Sequence, residues 1–458
     1  MASLTVWMNG ERVGEWGTLR TGTPAFRYEL SWTQSQHARA LSLSLPITAD
    51  REIRGDAVEY YFDNLLPDGA DIRRRIRTRF RTRSTDAFDL LSAIGRDCVG
   101  AVQLLPPDHT PEGWNRIDAE GLTDAGVEEA LREVTVNRPL GPEEQNELRI
   151  SLAGAQEKTA LLRMAGRWHR PTDATPTTHI LKLPLGVVGN FQGDFSNSVE
   201  NEWLCGQLLR ELDFPVADSE MARFGEQRAL VVTRFDRRWQ GVTAEGAQQR
   251  SFKPARGMWI ARLPQEDFCQ AMSLPSTRRY ESEGGPSIQR ALGLLAGGEQ
   301  PERDQTTFLL TQLLFWLLAA IDGHGKNFSI YHRRGGAYGL TPLYDVLSAW
   351  PVIGNGRNQL AFKKAKLAMA IQGRRAHYSL DEITRRHFRQ LAEQAGIEDL
   401  WNRMQALVEA APAALERLGT RLPKEFPEQV FTKIRAGVLA QCRRFEETAP
   451  AHRAAADR

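Results

Sequence analysis

Residues Gln305 to Ile321 carry apolar side chains on nearly every face, among them Leu309, Leu313, Phe315, Trp316 and Leu318, and read as a buried core helix. Directly after it comes Asp322-Gly-His-Gly-Lys-Asn327, six non-apolar residues in a row. A carboxylate at the mouth of a core helix loses hydration, and the cost is tolerated where a cation or an abstractable proton compensates it. Gly323 and Gly325 are expected to stop the helix, so that the loop presents Asp322 and Asn327 together. Phe328-Ser-Ile-Tyr-His332, the turn Arg333-Arg-Gly-Gly336 and Ala337-Tyr-Gly-Leu340 read as a hairpin that returns Tyr344-Asp345 to the same place. Phosphoryl transfer needs this set: one carboxylate to orient and deprotonate a hydroxyl, and an Asn with a second Asp to hold Mg²⁺. The Asp322–Asn327 spacing alone reads equally well as the polar end of a helix. Asp345, beyond the hairpin, tips the balance.

A nucleotide also needs cations on its phosphates. Lys182 stands alone in the apolar strand Ile180-Leu-Lys-Leu183. It reads either as an edge lysine reaching outward or as the strand lysine of a kinase, held by a helix glutamate. The helix from Ser198 to Leu212 offers Glu200 and Glu202, of which Glu202 shares a face with Val199 and Leu209 and is preferred. The loop Ala153-Gly-Ala-Gln-Glu157 has small residues where backbone N–H groups could approach phosphate. It does not complete a Walker motif, because Arg149 stands where a glycine would be, and GxGxxG is absent. By spacing alone it is an ordinary hairpin.

These residues need two lobes to hold them. The first hundred residues alternate like strands, with Asn9-Gly10 as a hairpin turn and Ala40 to Leu45 as a further strand, followed by helices from Ala57 and from Asp86. The proline-rich stretch Leu105 to Gly113 marks a boundary. From about residue 145 strands return (Leu148–Leu152, Lys158–Leu162, His179–Leu183, Leu230–Phe235). After Phe252 helical periods dominate: Gln265–Met272, Ile288–Leu295, Gln305–Ile321 and Leu380–Ala395. The expected division is an N-terminal α+β subdomain (1–110), a β-rich lobe with the phosphate loop (111–250), an all-α C-terminal lobe (251–445) and a flexible tail (446–458), with a cleft between the lobes. Lys+Arg number 59 against 57 Asp+Glu, so no global field draws the chain to nucleic acid or membrane. Cys98, Cys205, Cys269 and Cys442 lie far apart without metal spacing, which suits a reducing compartment. With neither a leader-like N-terminus nor a membrane-length apolar run, a cytoplasmic location is expected.

Seven strings together resemble the HipA family of serine/threonine kinases, toxins of bacterial type II toxin–antitoxin pairs. They are Ser151-Leu-Ala-Gly-Ala-Gln-Glu-Lys158, Thr178-His-Ile-Leu-Lys-Leu-Pro184, Glu200-Asn-Glu-Trp203, Thr233-Arg-Phe-Asp-Arg237, Leu263-Pro-Gln-Glu-Asp-Phe-Cys-Gln-Ala271, Ile321-Asp-Gly-His-Gly-Lys-Asn-Phe-Ser329 and Leu340-Thr-Pro-Leu-Tyr-Asp-Val346. The resemblance implies a bilobal, α+β, protein-kinase-like fold that uses ATP and Mg²⁺. It implies that Ala153, Gly154, Ala155, Gln156 and Lys158 form the phosphate loop and that Lys182 holds the phosphates. Thr233 to Phe235 would meet adenine, Asp322 would be the base, and Asn327 and Asp345 would bind the metal. His324 and Lys326 would approach the phosphates or the target hydroxyl. Ser151 would be autophosphorylated, and a phosphate there, carrying about −1.5 to −2 charge, is expected to eject the loop and silence the kinase. The implied partners are a HipB-like helix-turn-helix antitoxin dimer, operator DNA mainly through that antitoxin, and an aminoacyl-tRNA synthetase of the glutamyl type as substrate. Val346 follows Asp345 where eukaryotic kinases carry Phe, so no Phe-driven switch is implied.

Arg73 to Arg83 packs seven arginines into eleven residues, either a solvated helix face or a contact to phosphates or an acidic partner. Lys363, Lys364, Lys366, Arg374 and Arg375 form a second cluster. Two other functions compete with a protein kinase: a small-molecule phosphotransferase, and a non-catalytic corepressor that strengthens an antitoxin on DNA. The intact Lys182, Asp322, Asn327 and Asp345 set argues against the second.

Overall fold

Asn9 and Gly10 adopt φ of 47° and 83°, and the turn they make joins strands Ser3–Met8 and Glu11–Thr18, as the Asn-Gly pair predicts. The computed structural model describes residues 2–136, 151–189, 192–373 and 375–447. The two strands lie in a five-stranded antiparallel sheet ordered Glu52–Arg54, Pro24–Tyr28, Glu11–Thr18, Ser3–Met8, Gln103–Leu105. Trp16 stacks on Phe62 of helix Asp56–Asp63 with ring centroids 3.9 Å apart. Helix Ala87–Ile94 adds Leu90, Leu91 and Ile94 to the same core, so this module closes a hydrophobic interior of its own.

The next unit is a six-stranded antiparallel sheet ordered Ser219–Phe224, Gln227–Thr233, His179–Lys182, Lys158–Met164, Arg167–Pro171, Ala119–Leu122. Its register sets Lys158 directly opposite Lys182. Like charges so opposed destabilise a sheet unless anions join them. Helix Ser198–Glu211 packs on the strands Ser219–Phe224 and Gln227–Thr233, while its Leu204, Leu208 and Leu209 enter the core of the helical lobe.

That lobe is built around Pro301–Leu318, which is exposed in its first turn and from Phe308 on is almost wholly buried among the helices Arg385–Ala395, Leu400–Gly419 and Glu428–Glu446. Burial alone satisfies most of it. Among its buried polar groups, Trp316 donates its indole N–H to Leu380 O at 3.1 Å and the Thr311 hydroxyl donates to Thr307 O at 2.7 Å. The lobe is not wholly α. The strands Gln265–Asp267, Ser329–His332 and Tyr338–Leu340 form a three-stranded sheet, and Lys366–Gln372 pairs with Ala376–Ser379.

A buried ionic knot fastens the units to one another. Asp97 of the N-terminal module accepts from Arg237 (2.9 Å), Arg262 (3.1 Å), Arg234 (3.3 Å) and the Thr177 hydroxyl (2.7 Å). Arg234 also pairs with Asp236 at 2.8 Å, and Asp236 accepts from Gly100 N at 2.7 Å. All four cysteines are buried and unpaired.

Several expected boundaries shift. The core helix ends at Leu318, where Ala319 turns left-handed (φ 49°) and Ala320 N donates to Phe315 O, so the two later glycines are not its stop signal. Neither has positive φ; each is small because something packs against it. A Cβ on Gly323 would lie 2.2 Å from the Phe315 ring, and one on Gly325 would lie 2.6 Å from Pro286. Ala40 to Leu45 is a turn with one Ser42–Leu45 bridge, because its serine faces inward to the fully buried Glu266. Gln265 to Met272 splits into a strand and helix Phe268–Ala271, since Asp267 and Gln270 close a capping box between them. Leu380–Ala395 begins as a helix only at Arg385, after Thr384 caps it. The division at 250 falls between the paired strands Arg237–Gln240 and Trp259–Arg262. The strand expected at Leu148–Leu152 lies outside the described residues up to 150, and Ser151 and Leu152 are irregular. Arg374 and the tail beyond 447 also lie outside them.

Candidate active site

A cleft of about 1090 Å³, open to solvent, runs between the six-stranded sheet and the helical lobe. Ala153, Gly154, Ala155, Lys158 and Lys182 line it from the sheet side, and Asp322, His324, Lys326, Asn327 and Asp345 from the other. Ile180, Val232, Thr233 and Phe235 form an apolar end.

Lys182 Nζ donates to Glu202 Oε1 (2.6 Å) and to Asp345 Oδ1 (2.8 Å). Glu202 is therefore its helix partner, while Glu200 pairs with Arg228 at 2.6 Å. Burial pushes the Asp345 carboxyl up, but Lys182 and Lys158 outweigh it and hold the group at about 2. Burial opposes the charge of Lys182, and Asp345 and Glu202 overcome that and raise its pKa. Asp345 itself has φ 60°, a left-handed backbone held by its surroundings.

Asp322 is the most exposed of these groups, its side chain 58% accessible. The Tyr280 hydroxyl donates to its Oδ1, and Asn327 Nδ2 donates to its backbone carbonyl at 2.7 Å. The second bond turns Asn327 so that Oδ1 has no partner among the described residues. His324 lies 3.9 Å from the Asp322 carboxylate, edge-on to Tyr280, and burial lowers its pKa, so the ring is neutral at pH 7. The strand pairing of Ser329–His332 with Tyr338–Leu340 sets this loop against Asp345, and Tyr344 OH donates to Lys326 O at 2.8 Å.

Two expected residues stand outside the cleft lining, and a third lines it while tied to a carboxylate. Gln156 faces away from the cleft and donates to Leu183 O. Ser151 is wholly buried beneath the loop, its hydroxyl donating to Leu65 O at 2.8 Å. Lys326 does not reach freely into the cleft, because Asp68 Oδ1 accepts from it at 2.7 Å. Sequence reasoning also missed Asn64, Leu65 and Asp68, which come from the N-terminal module, and Arg279. Asn64-Leu-Leu-Pro-Asp68 carries only a helix end and a proline as its signal. The buried Asp267 in the cleft wall, pushed up by burial to about 7 despite nearby Lys326, was missed as well.

Cleft and topology together place the molecule among the bilobal, kinase-like phosphotransferases. The family model of the HipA N-terminal domain matches residues 4–105, and that of the HipA-like C-terminal domain matches residues 150–416. The chain belongs to the HipA family of serine/threonine kinase toxins. It is 32% identical over 400 residues to putative kinase Y4mE of Sinorhizobium fredii, covering 86% of each chain. It is 26% identical over 339 residues to the serine/threonine-protein kinase toxin HipA of Shewanella oneidensis, covering 71% of this chain and 70% of that one. The fold matches the HipA solved with HipB and operator DNA from Shewanella oneidensis MR-1, with a TM-score of 0.75 at 22% identity over 97% of both chains.

Proposed function

We propose that this kinase uses ATP and Mg²⁺ to phosphorylate serine or threonine on a protein, that it autophosphorylates on Ser151, and that an antitoxin restrains it. The observation that carries the reading is Lys182, bound at once to Glu202 and Asp345 in the cleft that Asp322 and Asn327 line. Lys182 and Lys158 supply positive charge for the phosphates, and the loop at Ala153 to Ala155 supplies backbone N–H groups. The apolar end at Ile180, Val232 and Phe235 suits a purine base.

Asp345 and Asn327 offer oxygens for magnesium, and among the described residues no three His, Cys, Asp or Glu cluster as a metal cage. That donor set fits an ion that takes most of its ligands from phosphates and water. When bound, magnesium neutralises charge on the transferring group. Asp322, exposed and oriented by Tyr280, accepts the proton of the attacking hydroxyl.

The substrate we propose is a glutamyl-type aminoacyl-tRNA synthetase in the cytoplasm, which rests on the family resemblance. A HipB-like helix-turn-helix dimer, and operator DNA through it, are the proposed partners; the solved Shewanella complex contains HipB and operator DNA and supports that assignment. Mass spectrometry after incubation with ATP tests the chemistry. Phosphate on Ser151 in the wild type and none in Asp322→Ala is expected, and equal phosphorylation of both chains defeats the assignment of the base.

A further inference from the structure

Asp68 stands outside both lobes in sequence, five residues past the end of helix Asp56–Asp63 in the N-terminal module. Its backbone N–H donates to Gly154 O at 3.0 Å, and Pro67 bridges Gly154 as a short parallel pairing. The module thereby grips the phosphate loop at its glycine. The side chain points the other way. Asp68 Oδ1 accepts from Lys326 Nζ at 2.7 Å and Oδ2 from Arg279 Nη1 at 2.8 Å. Its carboxylate is only 5% accessible, and Lys326 3%, so water screens the pair little.

Both cations lead on to the base. Lys326 belongs to the loop that starts at Asp322, and Arg279 O accepts from Gly325 N at 3.0 Å in that loop. Arg279 stacks over Tyr280, whose hydroxyl donates to Asp322. One residue is thus bonded through its main chain to the loop over the phosphates and through its side chain to the loop that carries the base.

We infer that Asp68 is a positioning residue for phosphoryl transfer, setting the phosphate loop and the catalytic loop at a fixed separation and making the N-terminal module part of the catalytic centre. This rests on the kinase reading above. An uncompensated Lys326 would otherwise be free to turn toward the phosphates, binding them in the ground state without aiding the transition state. Asp68→Asn keeps the main-chain bond to Gly154 and removes the charge. At saturating ATP its turnover falls about tenfold or more, with the ATP dissociation constant within about threefold of wild type. Asp68→Glu restores part of the turnover. Amide hydrogen exchange gives a readout independent of activity: in Asp68→Asn, residues 322–329 exchange faster while strands Ser3–Met8 and Glu11–Thr18 do not change.

Wild-type turnover in Asp68→Asn, a loss of ATP affinity equal to the loss of turnover, or faster exchange throughout the module each overturns the inference. A wild-type chain without phosphoryl transfer, but with the expected exchange difference, counts against the kinase reading and leaves the clamp standing. Without that difference the clamp falls too.

Discussion

Lys158 and Lys182 face one another on adjoining strands yet differ in how firmly they hold their protons. Burial pushes Lys158 down to about 8, with Asp345 pulling upward and Lys182 adding to the push, and it has no hydrogen bond or ion pair among the described residues. Arriving phosphates favour its ammonium form. The free-state pKa is then near 8 and the bound-state value higher, so binding takes up a proton between the two. Nucleotide affinity is full below pH 8 and weakens as pH rises through that interval, by at most about tenfold per unit. Calorimetry should find ATP bound more weakly at pH 9 than at pH 7, and Lys158→Met should show a flat profile. A wild-type profile equally flat would remove Lys158 from the phosphate site. Lys182 was legible in the sequence because a lone cation in an apolar strand must be either at an edge or paired. The opposition of Lys158 to it was not, since it depends on register between strands separated by other structure.

At the level of elements, the phosphate loop is held by clips from the N-terminal module: Ser151 Oγ to Leu65 O, Asp68 N to Gly154 O, and Arg75 to Glu157. A phosphate on Ser151 has no room in that buried pocket and sets its charge against a carbonyl oxygen. A homogeneously Ser151-phosphorylated chain should therefore lose ATP affinity, measured by titration against the unmodified protein; unchanged affinity would show that the loop stays closed. The arginines of helix Ala70–Phe80 prove to be divided. Arg73 reaches Asp63 and Pro67 O, and Arg75 reaches the loop, while Arg74 is exposed. Alternation and turn residues located most strands and the core helix. What they could not give was why Gly323 is a glycine, because the ring that crowds it belongs to the preceding helix. Gly323→Ala is expected to cost about 1–3 kcal/mol, seen as a lower thermal midpoint, and to reduce turnover by displacing Asp322. A variant as stable and active as wild type would show that Phe315 yields.

For the whole molecule, the knot at Asp97 decides whether three units behave as one. Burial raises the Asp97 carboxyl, yet Arg237, Arg262 and Arg234 drive it far below the usual carboxylate range. Asp97→Ala leaves the buried Arg262 without its carboxylate and Arg234 and Arg237 sharing Asp236 alone, and should cost about 3–5 kcal/mol. Calorimetric unfolding should then separate into more than one transition, whereas a single shifted transition would mean that apolar contacts alone couple the units. The two-lobed plan was visible from the change of period near Phe252. This third contact was not, since Asp97 carries no periodic or motif signal, and its partners lie at 177 and beyond 233. The buried thiols have a consequence of their own. Cys98 lies in the core of the N-terminal module, Cys205 and Cys442 in that of the helical lobe, and Cys269 beside Gly325 beneath the catalytic loop. Burial raises each thiol pKa, so an alkylating reagent meets neither access nor thiolate in the native chain. The order in which the four sulfurs acquire label then becomes a clock, recording which region breathes open first.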